Sequence, residues 1–555
     1  MDYKTPAEYL SDGIYLRSVR GQAHQKEFDN NYEYLPGFFD KKTYERLNDI
    51  NPDSVLMMGL YYGFKPQHGS EWQNAALDNG GALWKEYIAG FMNEAYDSEG
   101  NKTIDVYSWI PWNEPDLQWR GNMSGFHDAF KYGYEAVKEF DPRELVQGPE
   151  LSSYNFSTLT AFLTYCRDND CLPDVLSWHE LRSYPLDIEA HCAELEEWML
   201  ENGIEPMPMA VTEYQGTGYG ETDEERISQG TYNPGLTVAY IASMERAEKY
   251  GLDHGLKSAW GRTGSNPEFM TDLGQMADFE TGTMPTGLWY VYHAYKNMTG
   301  RKLETVHDSS EIEAAAAYDS SADRLSSTVI IGNWEETKKY VQLTLNDIPE
   351  GLSVNGMADV KIEAIAESLA DPLYQTDVLM DGECETENGD IILNIAVNGR
   401  SAVAVTVTPP ADENGTITLP FETNEHSENI TVTEKDGAVY AEGGLTSSYI
   451  EEAPEGNEEN VTYKDTGDNI TFSAEIPDEG IYKFEGLHIS GNNMGFMQLY
   501  ADGEALGEPV DLYSEEQAEK TVNYGSIYLT SGTHEFTFKI VGFGKNEKSL
   551  SLIHI

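Results

Sequence analysis

The sequence is poor in positive charge and contains no long apolar run. It has 36 lysine and arginine residues against 96 aspartate and glutamate residues, a formal net charge of −60. An acidic excess of this size repels phosphates, so it disfavours nucleic acid and anionic membrane surfaces as partners. It suits an uncharged or weakly charged ligand such as an oligo- or polysaccharide. No stretch of 18 apolar residues occurs, which excludes an ordinary membrane-spanning helix.

Cysteines and nucleotide-binding motifs are also scarce. The four cysteines show no metal-ligand spacing and are expected to be free buried thiols, although Cys166 and Cys171 are candidates to pair in an oxidising compartment. A G-x-G-x-x-G motif and a phosphate-binding loop are both missing, so nucleotide-binding folds are disfavoured. We expect no metal or organic cofactor. The start, "MDYKTPAEYLSDG", lacks the basic and apolar segments of a signal peptide.

The first 302 residues alternate short apolar runs with amphipathic segments. The runs are "GIYLRSVRG", "SVLMMGLYY", "DVYSWIPW", "ELVQGPEL", "DVLSWHEL", "MPMAVTEY" and "GLKSAWG". Helical patterns such as "FHDAFKYGYEAVKEF" lie between them, with apolar residues three and four positions apart. This alternation favours a parallel sheet covered by helices, either doubly wound or closed as an eight-stranded barrel, and we favour the (β/α)₈ barrel.

Seven strands are visible where a complete barrel has eight. The chain also opens on a helix-like segment, "TPAEYLSDG", where a barrel opens on a strand. We therefore expect the first barrel strand to be missing from this amino terminus.

Beyond residue 302 the pattern changes to alternating strands with turn residues between them. Residues 303–410 contain "STVIIGNW", "KKYVQLTLNDI", "DIILNIAV" and "SAVAVTVTPP", which predict an antiparallel β-sandwich. Residues 411–419 are interpreted as a linker. Residues 420–555 are again strand-rich and predict a second β-sandwich, in segments such as "GIYKFEGLHISG" and "THEFTFKIVG".

Two glutamates stand at the ends of predicted barrel strands. Glu114 follows "DVYSWIPW" and Glu213 closes "MPMAVTEY". Active sites of such barrels lie at the carboxyl ends of the strands. Aromatic and small neighbours surround both residues, and we expect desolvation to raise their pKa values. A pair of carboxylates is what glycosidic bond cleavage requires, one as acid and the other as nucleophile or base.

"WNEPD" at one strand end and "TEY" three strands later resemble clan A of the retaining glycoside hydrolases. Within the clan, "YLRS", "LMMGLYYGFKP", "WNEPDLQW", "VQGPE" and "VTEYQGTG" are most similar to glycoside hydrolase family 39, which includes the β-xylosidases. The resemblance implies double displacement, with Glu114 as acid/base and Glu213 as nucleophile. In the clan these residues follow strands four and seven. Here they follow visible strands three and six, which agrees with a missing first strand.

Several further residues are candidates for substrate binding. The resemblance assigns Asn113 to a sugar 2-hydroxyl. Arg17 is a candidate to orient Glu213 by a charge-assisted hydrogen bond, with Arg20 and His24 as competitors. The other candidates near the site are His179, Tyr184, Glu150, Trp112, Trp119 and Trp260, of which Trp260 is a stacking platform for a sugar ring. The last sandwich resembles carbohydrate-binding modules, where Tyr449, Tyr513 and Tyr524 are either stacking or structural residues.

The predicted function is a retaining glycosidase of plant or algal glycans, with a β-xylosidase-like substrate favoured. Clan relatives that cleave agar or porphyran also carry β-sandwiches, so an endo-hydrolase of that kind is an alternative. A non-catalytic glycan-binding protein on a degenerate barrel and an inverting hydrolase on another barrel are further alternatives. The predicted location is secreted or on a bacterial cell surface, with the cytoplasm as the alternative. The oligomeric state stays open.

Overall fold

The chain divides into two compact units. The computed structural model describes residues 7–11, 13–15, 17–22, 41–60, 71–119, 122–181, 186–215, 233–257, 276–279, 282–321, 324–349, 351–368, 373, 375–410, 422–426, 430–435, 438–444, 449–450, 463–464, 469–477, 479–492, 496–542 and 550–554. One unit, here called the barrel unit, comprises 16–220 and 240–260. The other, the sandwich unit, comprises 1–15, 221–239 and 261–555.

The barrel unit is built on one sheet of seven parallel strands that pair in chain order. The seven strands predicted from the sequence are confirmed, with bounds β1 Ser18–Gln22, β2 Val55–Gly59, β3 Val106–Ile110, β4 Leu145–Leu151, β5 Val175–Leu181, β6 Met209–Gln215 and β7 Leu252–Lys257. Every residue of β5 is buried. Burial of a strand on both faces is what helices packed outside a curved parallel sheet produce.

The sheet curls so that its first and last strands approach each other. Ser18 Oγ of β1 lies 3.2 Å from His254 Nδ1 of β7. Inside the sheet, Met57 of β2, Ile110 of β3 and Leu256 of β7 pack in one apolar cluster. Side chains from distant strands meet in this way only when the sheet closes on itself, so the architecture is that of a (β/α) barrel with seven described strands.

Helices follow most of the strands. Their bounds are α1 Ala7–Leu10, α2 Lys41–Ile50, α3 Glu71–Asn93, α4 Pro115–Gln118, α5 Met123–Phe140, α6 Phe156–Asp168, α7 Asp187–Glu201, α8 Pro234–Ala247 and α9 Gly287–Lys296, with a 3₁₀ turn at Glu248–Tyr250. α5 packs on β4 so closely that a Cβ on Gly148 would lie 2.5 Å from the ring of Phe130. Glycine lets the strand and the aromatic face of the helix approach each other.

Outside its helices, the sandwich unit consists of strands that pair antiparallel, as the alternating sequence pattern predicts. After a short hairpin, β8 Met276–Phe279 and β9 Gly282–Pro285, a six-stranded and a two-stranded sheet share one apolar core. Their strands are β10 Arg301–Leu303, β11 Ile312–Asp319, β12 Ser326–Asn333, β13 Lys339–Leu345, β14 Met357–Ile365, β15 Asp377–Glu385, β16 Ile391–Val397 and β17 Ser401–Thr408. The four strands predicted here are confirmed, and β10, β11, β14 and β15 were not foreseen.

The carboxy-terminal sheets form a second sandwich. A five-stranded sheet and the pair β24–β27 share a core of their own, beside smaller sheets of three and two strands. The strands are β18 Glu422–His426, β19 Ile430–Lys435, β20 Ala438–Gly444, β21 Tyr449–Ile450, β22 Tyr463–Lys464, β23 Asn469–Ile476, β24 Gly480–Ser490, β25 Phe496–Ala501, β26 Glu504–Asp511, β27 Ala518–Leu529, β28 Gly532–Gly542 and β29 Leu550–His554. The domain limits at 302, 410 and 420 stay a prediction.

The three tyrosines considered for sugar stacking differ in their surroundings. Tyr524 is buried in the second sandwich core, where its hydroxyl lies 2.7 Å from His488 Nε2, so it is a structural residue. Tyr513 is half-buried, and the side chain of Tyr449 lies outside the described residues. The four cysteines are free thiols. Within the described part of the chain, no helix has the length and apolar character needed to span a membrane.

Candidate active site

Glu114 and Glu213 come together at the carboxyl ends of the barrel strands. Glu114 lies four residues beyond the end of β3, and Glu213 lies within β6, two residues before its end. Both are buried, each with 7% of the residue surface exposed. One carboxylate oxygen of each, together with a ring nitrogen of His179, lies within 4.8 Å of the others. The structure therefore brings together two glutamates that are 99 positions apart in the chain.

The backbone of Glu114 is held in an unusual conformation. Its φ of 46° and ψ of 56° are left-handed, at the residue that precedes α4. A non-glycine residue there costs on the order of 1–3 kcal/mol and persists only where the surroundings enforce it. Its N–H donates to the Glu150 carbonyl at 2.7 Å. Nearby, Ser152 donates its N–H and Oγ–H to Asp116 at 2.9 and 2.6 Å, which ties α4 to the end of β4.

Arg20 of β1 connects the groups of the site. Its Nη1 donates to Glu213 Oε1 at 2.5 Å, and its Nη2 donates to Asn113 Oδ1. The same Nη2 lies 3.6 Å from Glu150 Oε2. The planar guanidinium thus orients the nucleophile candidate and the Asn113 amide at once, which a lysine ammonium does not reproduce.

His179 lies among three carboxylates. Its Nδ1 is 3.2 Å from Glu114 Oε1, and its Nε2 is 3.0 Å from Glu150 Oε2 and 3.8 Å from Glu213 Oε1. Burial lowers the pKa of His179, but the charge of Glu213 and the hydrogen bonds to Glu114 and Glu150 outweigh it and raise that pKa to about 9.

Glu150 is fully buried and ionised. Its Oε1 accepts hydrogen bonds from Gln147 Nε2 and Ser177 Oγ, both at 2.7 Å, and its Oε2 accepts from Thr212 Oγ1 at 2.5 Å. Burial acts to raise the pKa of Glu150, but the Arg20 charge and the His179 and Thr212 hydrogen bonds lower it to about 2. Glu150 has no exposed surface, and the direct substrate contact expected from the sequence stays a prediction. We call Arg20, Glu114, Glu150, His179 and Glu213 the carboxylate cluster.

The pKa of Glu114 differs in direction from the expectation. Burial does act to raise it, but the hydrogen bond and charge of His179, with contributions from Gln118 and Arg20, lower it below the ordinary value. The sequence pattern identified the apolar surroundings but not the cation that compensates them, because His179 lies on a different strand.

The donor atoms of Glu114, His179 and Glu213 are close enough together to consider a metal ion. Both ring nitrogens of His179 already face carboxylates, and the Arg20 guanidinium lies on Glu213. A cation would have to displace these contacts against the charge of Arg20. The donor set therefore suits an organic substrate better than a metal.

The remaining predicted residues lie apart from the cluster or outside the described residues. Arg17 is exposed and precedes β1 at the opposite end of the strand, so the contact with Glu213 belongs to Arg20. Trp119 is buried with its ring 5.2 Å from that of Trp112, which is buried as well. His24, Tyr184 and Trp260 lie outside the described residues.

Sequence reasoning missed the polar residues that support the cluster. Gln147, Ser177 and Thr212 lie inside apolar strands, each two or more positions before the strand end, and all three bond Glu150. A polar residue in a buried strand needs a partner. That requirement is the signal that was available, although it does not identify which partner.

The chain is similar in sequence to two curated glycosidases. It is 21% identical over 537 residues, 92% of this chain, to 3-O-alpha-D-galactosyl-alpha-L-arabinofuranosidase of Bifidobacterium longum subsp. longum. It is 22% identical over 459 residues, 73% of this chain, to 3-O-beta-L-arabinopyranosyl-alpha-L-arabinofuranosidase of Bifidobacterium pseudocatenulatum. The chain spans 42% and 43% of the length of these relatives. It matches no protein-family profile.

Among solved structures, N2152 from Neocallimastix frontalis shares the fold. The TM-score is 0.55 at 23% identity, over 73% of this chain and 94% of that one. A glycoside hydrolase family 39 enzyme from Xanthomonas axonopodis pv. citri also aligns, with a TM-score of 0.49 and 12% identity over 73% of this chain and 90% of that one.

Proposed function

We propose that this protein is a retaining glycoside hydrolase in which Glu213 is the nucleophile and Glu114 the acid/base. The observation that carries the proposal is the pair of buried carboxylates at the strand ends, since one oxygen of Glu114 lies within 4.8 Å of one oxygen of Glu213. Retaining enzymes separate their two carboxyl groups by about 5–5.5 Å, and inverting enzymes by about 6.5–9.5 Å to admit a water molecule. The short separation supports retention.

The reaction proceeds in two displacements. Glu213 attacks the anomeric carbon while the bond to the leaving oxygen breaks and that oxygen receives a proton from Glu114. A water molecule then gives a proton to Glu114 and bonds to the anomeric carbon, and Glu213 leaves as a carboxylate. The Arg20 contact at 2.5 Å orients the Glu213 carboxylate for the first step.

Asn113 is the candidate contact for the sugar hydroxyl next to the reacting carbon. Its Oδ1 accepts a hydrogen bond from Arg20, which fixes the amide plane and turns the NH₂ group away from the guanidinium. That NH₂ group is then available to a substrate hydroxyl. A contact of this kind accelerates the reaction when it strengthens in the transition state.

The proposed substrate class is an α-L-arabinofuranoside that carries a further sugar at its 3-hydroxyl. Both curated relatives are named for that linkage, and this observation ranks it above the β-xyloside expected from the motifs. A β-xyloside is the second candidate, supported by the resemblance of "WNEPD" and "VTEY" to family 39.

Site variants and a matched control test the mechanism. We expect Glu213→Gln to lower kcat/KM on a responsive 4-nitrophenyl glycoside by about 10³-fold, as expected for loss of a nucleophile. We expect Glu114→Gln to lower kcat/KM on the matching methyl glycoside, whose leaving group needs a proton, by about 10³-fold. Glu180→Gln changes a buried carboxylate on β5 that bonds Trp178 and His191 instead, and its kinetics should match the wild type. Azide should restore turnover to Glu114→Ala with a glycosyl azide as product.

The substrate panel comprises 4-nitrophenyl α-L-arabinofuranoside, 4-nitrophenyl β-D-xyloside and 3-O-substituted arabinofuranosides. NMR of the first-formed sugar reports the anomer. Near-normal rates in Glu114→Gln or Glu213→Gln would refute the assignment, and an inverted anomer would refute double displacement. Glycan binding without turnover by the wild type would favour the non-catalytic alternative.

A further inference from the structure

A glutamate with an ordinary pKa of about 4.3 is largely ionised at neutral pH. Burial acts to raise the pKa of Glu114, but the hydrogen bond and charge of His179 outweigh it and lower that pKa further. General acids work best when their pKa lies near the working pH. The proton must therefore be held nearby, and the other buried titratable groups of the cluster are the candidates.

The two ring nitrogens of His179 answer this requirement. Nδ1 faces Glu114 at 3.2 Å and Nε2 faces Glu150 at 3.0 Å. A neutral imidazole has one N–H, so it can donate to one carboxylate only, whereas the doubly protonated ring donates to both. The geometry therefore suits a ring that carries an extra proton on the side facing Glu114.

Glu150 is built to stay ionised beside that ring. Its polar neighbours, Gln147, Ser177, Thr212 and Arg20, all present donors. The charged groups that face His179 are Glu114 from the loop after β3, Glu150 from β4 and Glu213 from β6, with Arg20 of β1 beside them. Three carboxylates against one fixed cation favour one bound proton on the cluster.

We propose that Glu150 is a positioning residue whose buried carboxylate keeps one proton on the hydrogen-bonded pair of His179 and Glu114, which supplies the acid step at neutral pH. This inference rests on the proposed function. Glu114 takes the proton from His179 Nδ1 and passes it to the leaving oxygen as the glycosidic bond breaks, so Glu114 ends as a carboxylate and the ring ends neutral, with Nε2–H still donating to Glu150. The proton taken from water in the second displacement returns to the pair. The pair titrates as a unit.

Removal of the Glu150 charge should weaken proton binding by the pair. In Glu150→Gln, we expect the alkaline limb of kcat/KM to move down by one pH unit or more, with KM at acid pH within about twofold of wild type. Glu180→Gln makes the same change of charge on the outer face of β5. The alkaline limb of its kcat/KM profile should therefore stay at the wild-type pH. The loss at neutral pH should be larger for a methyl glycoside, whose leaving group needs a proton, than for a 4-nitrophenyl glycoside.

An activity-independent measurement separates this inference from the proposed function. In wild-type protein labelled with ¹⁵N-histidine, and assigned by comparison with His179→Gln, both ring nitrogens of His179 should be protonated at pH 7 and lose a proton near pH 9. A neutral ring at pH 7 overturns the inference even if Glu150→Gln fails to fold. An alkaline limb that stays fixed or moves up in a folded Glu150→Gln overturns it as well. If Glu213→Gln is inactive while its His179 ring is charged, the result supports both the proposed function and this inference.

Discussion

Removal of Arg20 should destabilise the barrel unit by an amount that depends on pH. Arg20 contacts Glu213 and Asn113 and lies 3.6 Å from Glu150, and its side chain is 6% exposed. It is the largest of the causes that lower the pKa of Glu150 from 4.5 to about 2, although burial acts the other way. At about 1.36 kcal/mol for each pKa unit, that lowering, to which His179 and Thr212 also contribute, corresponds to about 3 kcal/mol of stability at pH 7, an upper bound for the share of Arg20.

Two independent magnitudes agree for Arg20→Leu. Loss of one partner of a buried ion pair typically costs about 3–5 kcal/mol, because the remaining charge is left uncompensated. We therefore expect the free energy of unfolding to fall by about 3 kcal/mol at pH 7.

The sign of the pH dependence follows from the depressed pKa of Glu150. Its contribution in the wild type is fully present above pH 4.5 and is lost as the pH falls toward 2. In Arg20→Leu the Glu150 carboxylate protonates at a higher pH than in the wild type, and protonation removes its unpaired charge. The difference between wild type and variant should shrink to below about 1 kcal/mol near pH 2.

Urea unfolding followed by tryptophan fluorescence measures this difference, since Trp84, Trp109 and Trp178 are buried in the barrel unit. Arg143→Leu is the control, because Arg143 pairs with Asp141 at the surface and its side chain is 86% exposed. Surface pairs contribute about 0–1 kcal/mol. A loss below 1 kcal/mol at pH 7 in Arg20→Leu, or an equal loss at pH 3, would refute the reasoning.

Two further variants probe the surroundings of the site. Gly148→Ala puts a Cβ 2.5 Å from the buried Phe130 ring and should cost about 1–3 kcal/mol by overpacking, measured by urea unfolding. Gly480→Ala, at a glycine with open space around it, is its control, and equal stability of the two variants would contradict the packing argument. Asp116→Ala removes both acceptors of Ser152 and should lower kcat/KM about tenfold, a loss of about 1.4 kcal/mol, by loosening the Glu114 loop. Asp141→Ala lies outside the site and should leave kcat/KM unchanged, and a similar loss in both would count against the tether.

Much of the architecture was predictable because strands and helices carry local signals. The seven barrel strands and the helix at Met123–Phe140 follow from apolar periodicity, and the sandwich strands follow from alternation. β15 was missed because most of its residues are exposed, so its apolar alternation is weak. β11 was missed because its alanine-rich run, "IEAAAAYD", has only one β-branched residue, Ile312.

The two strand-end glutamates were identified from the sequence alone, because the residues around "WNEP" and "TEY" lie next to them in the chain. The protonation chemistry was not, since Arg20, Glu150 and His179 come from three different strands and their charges meet only in the closed sheet. The same sequence pattern therefore predicted a raised pKa for Glu114, and the tertiary contacts lower it. Local order along the chain determines which residues end a strand. Electrostatic interactions act through space, so the folded barrel decides which of those residues holds the proton.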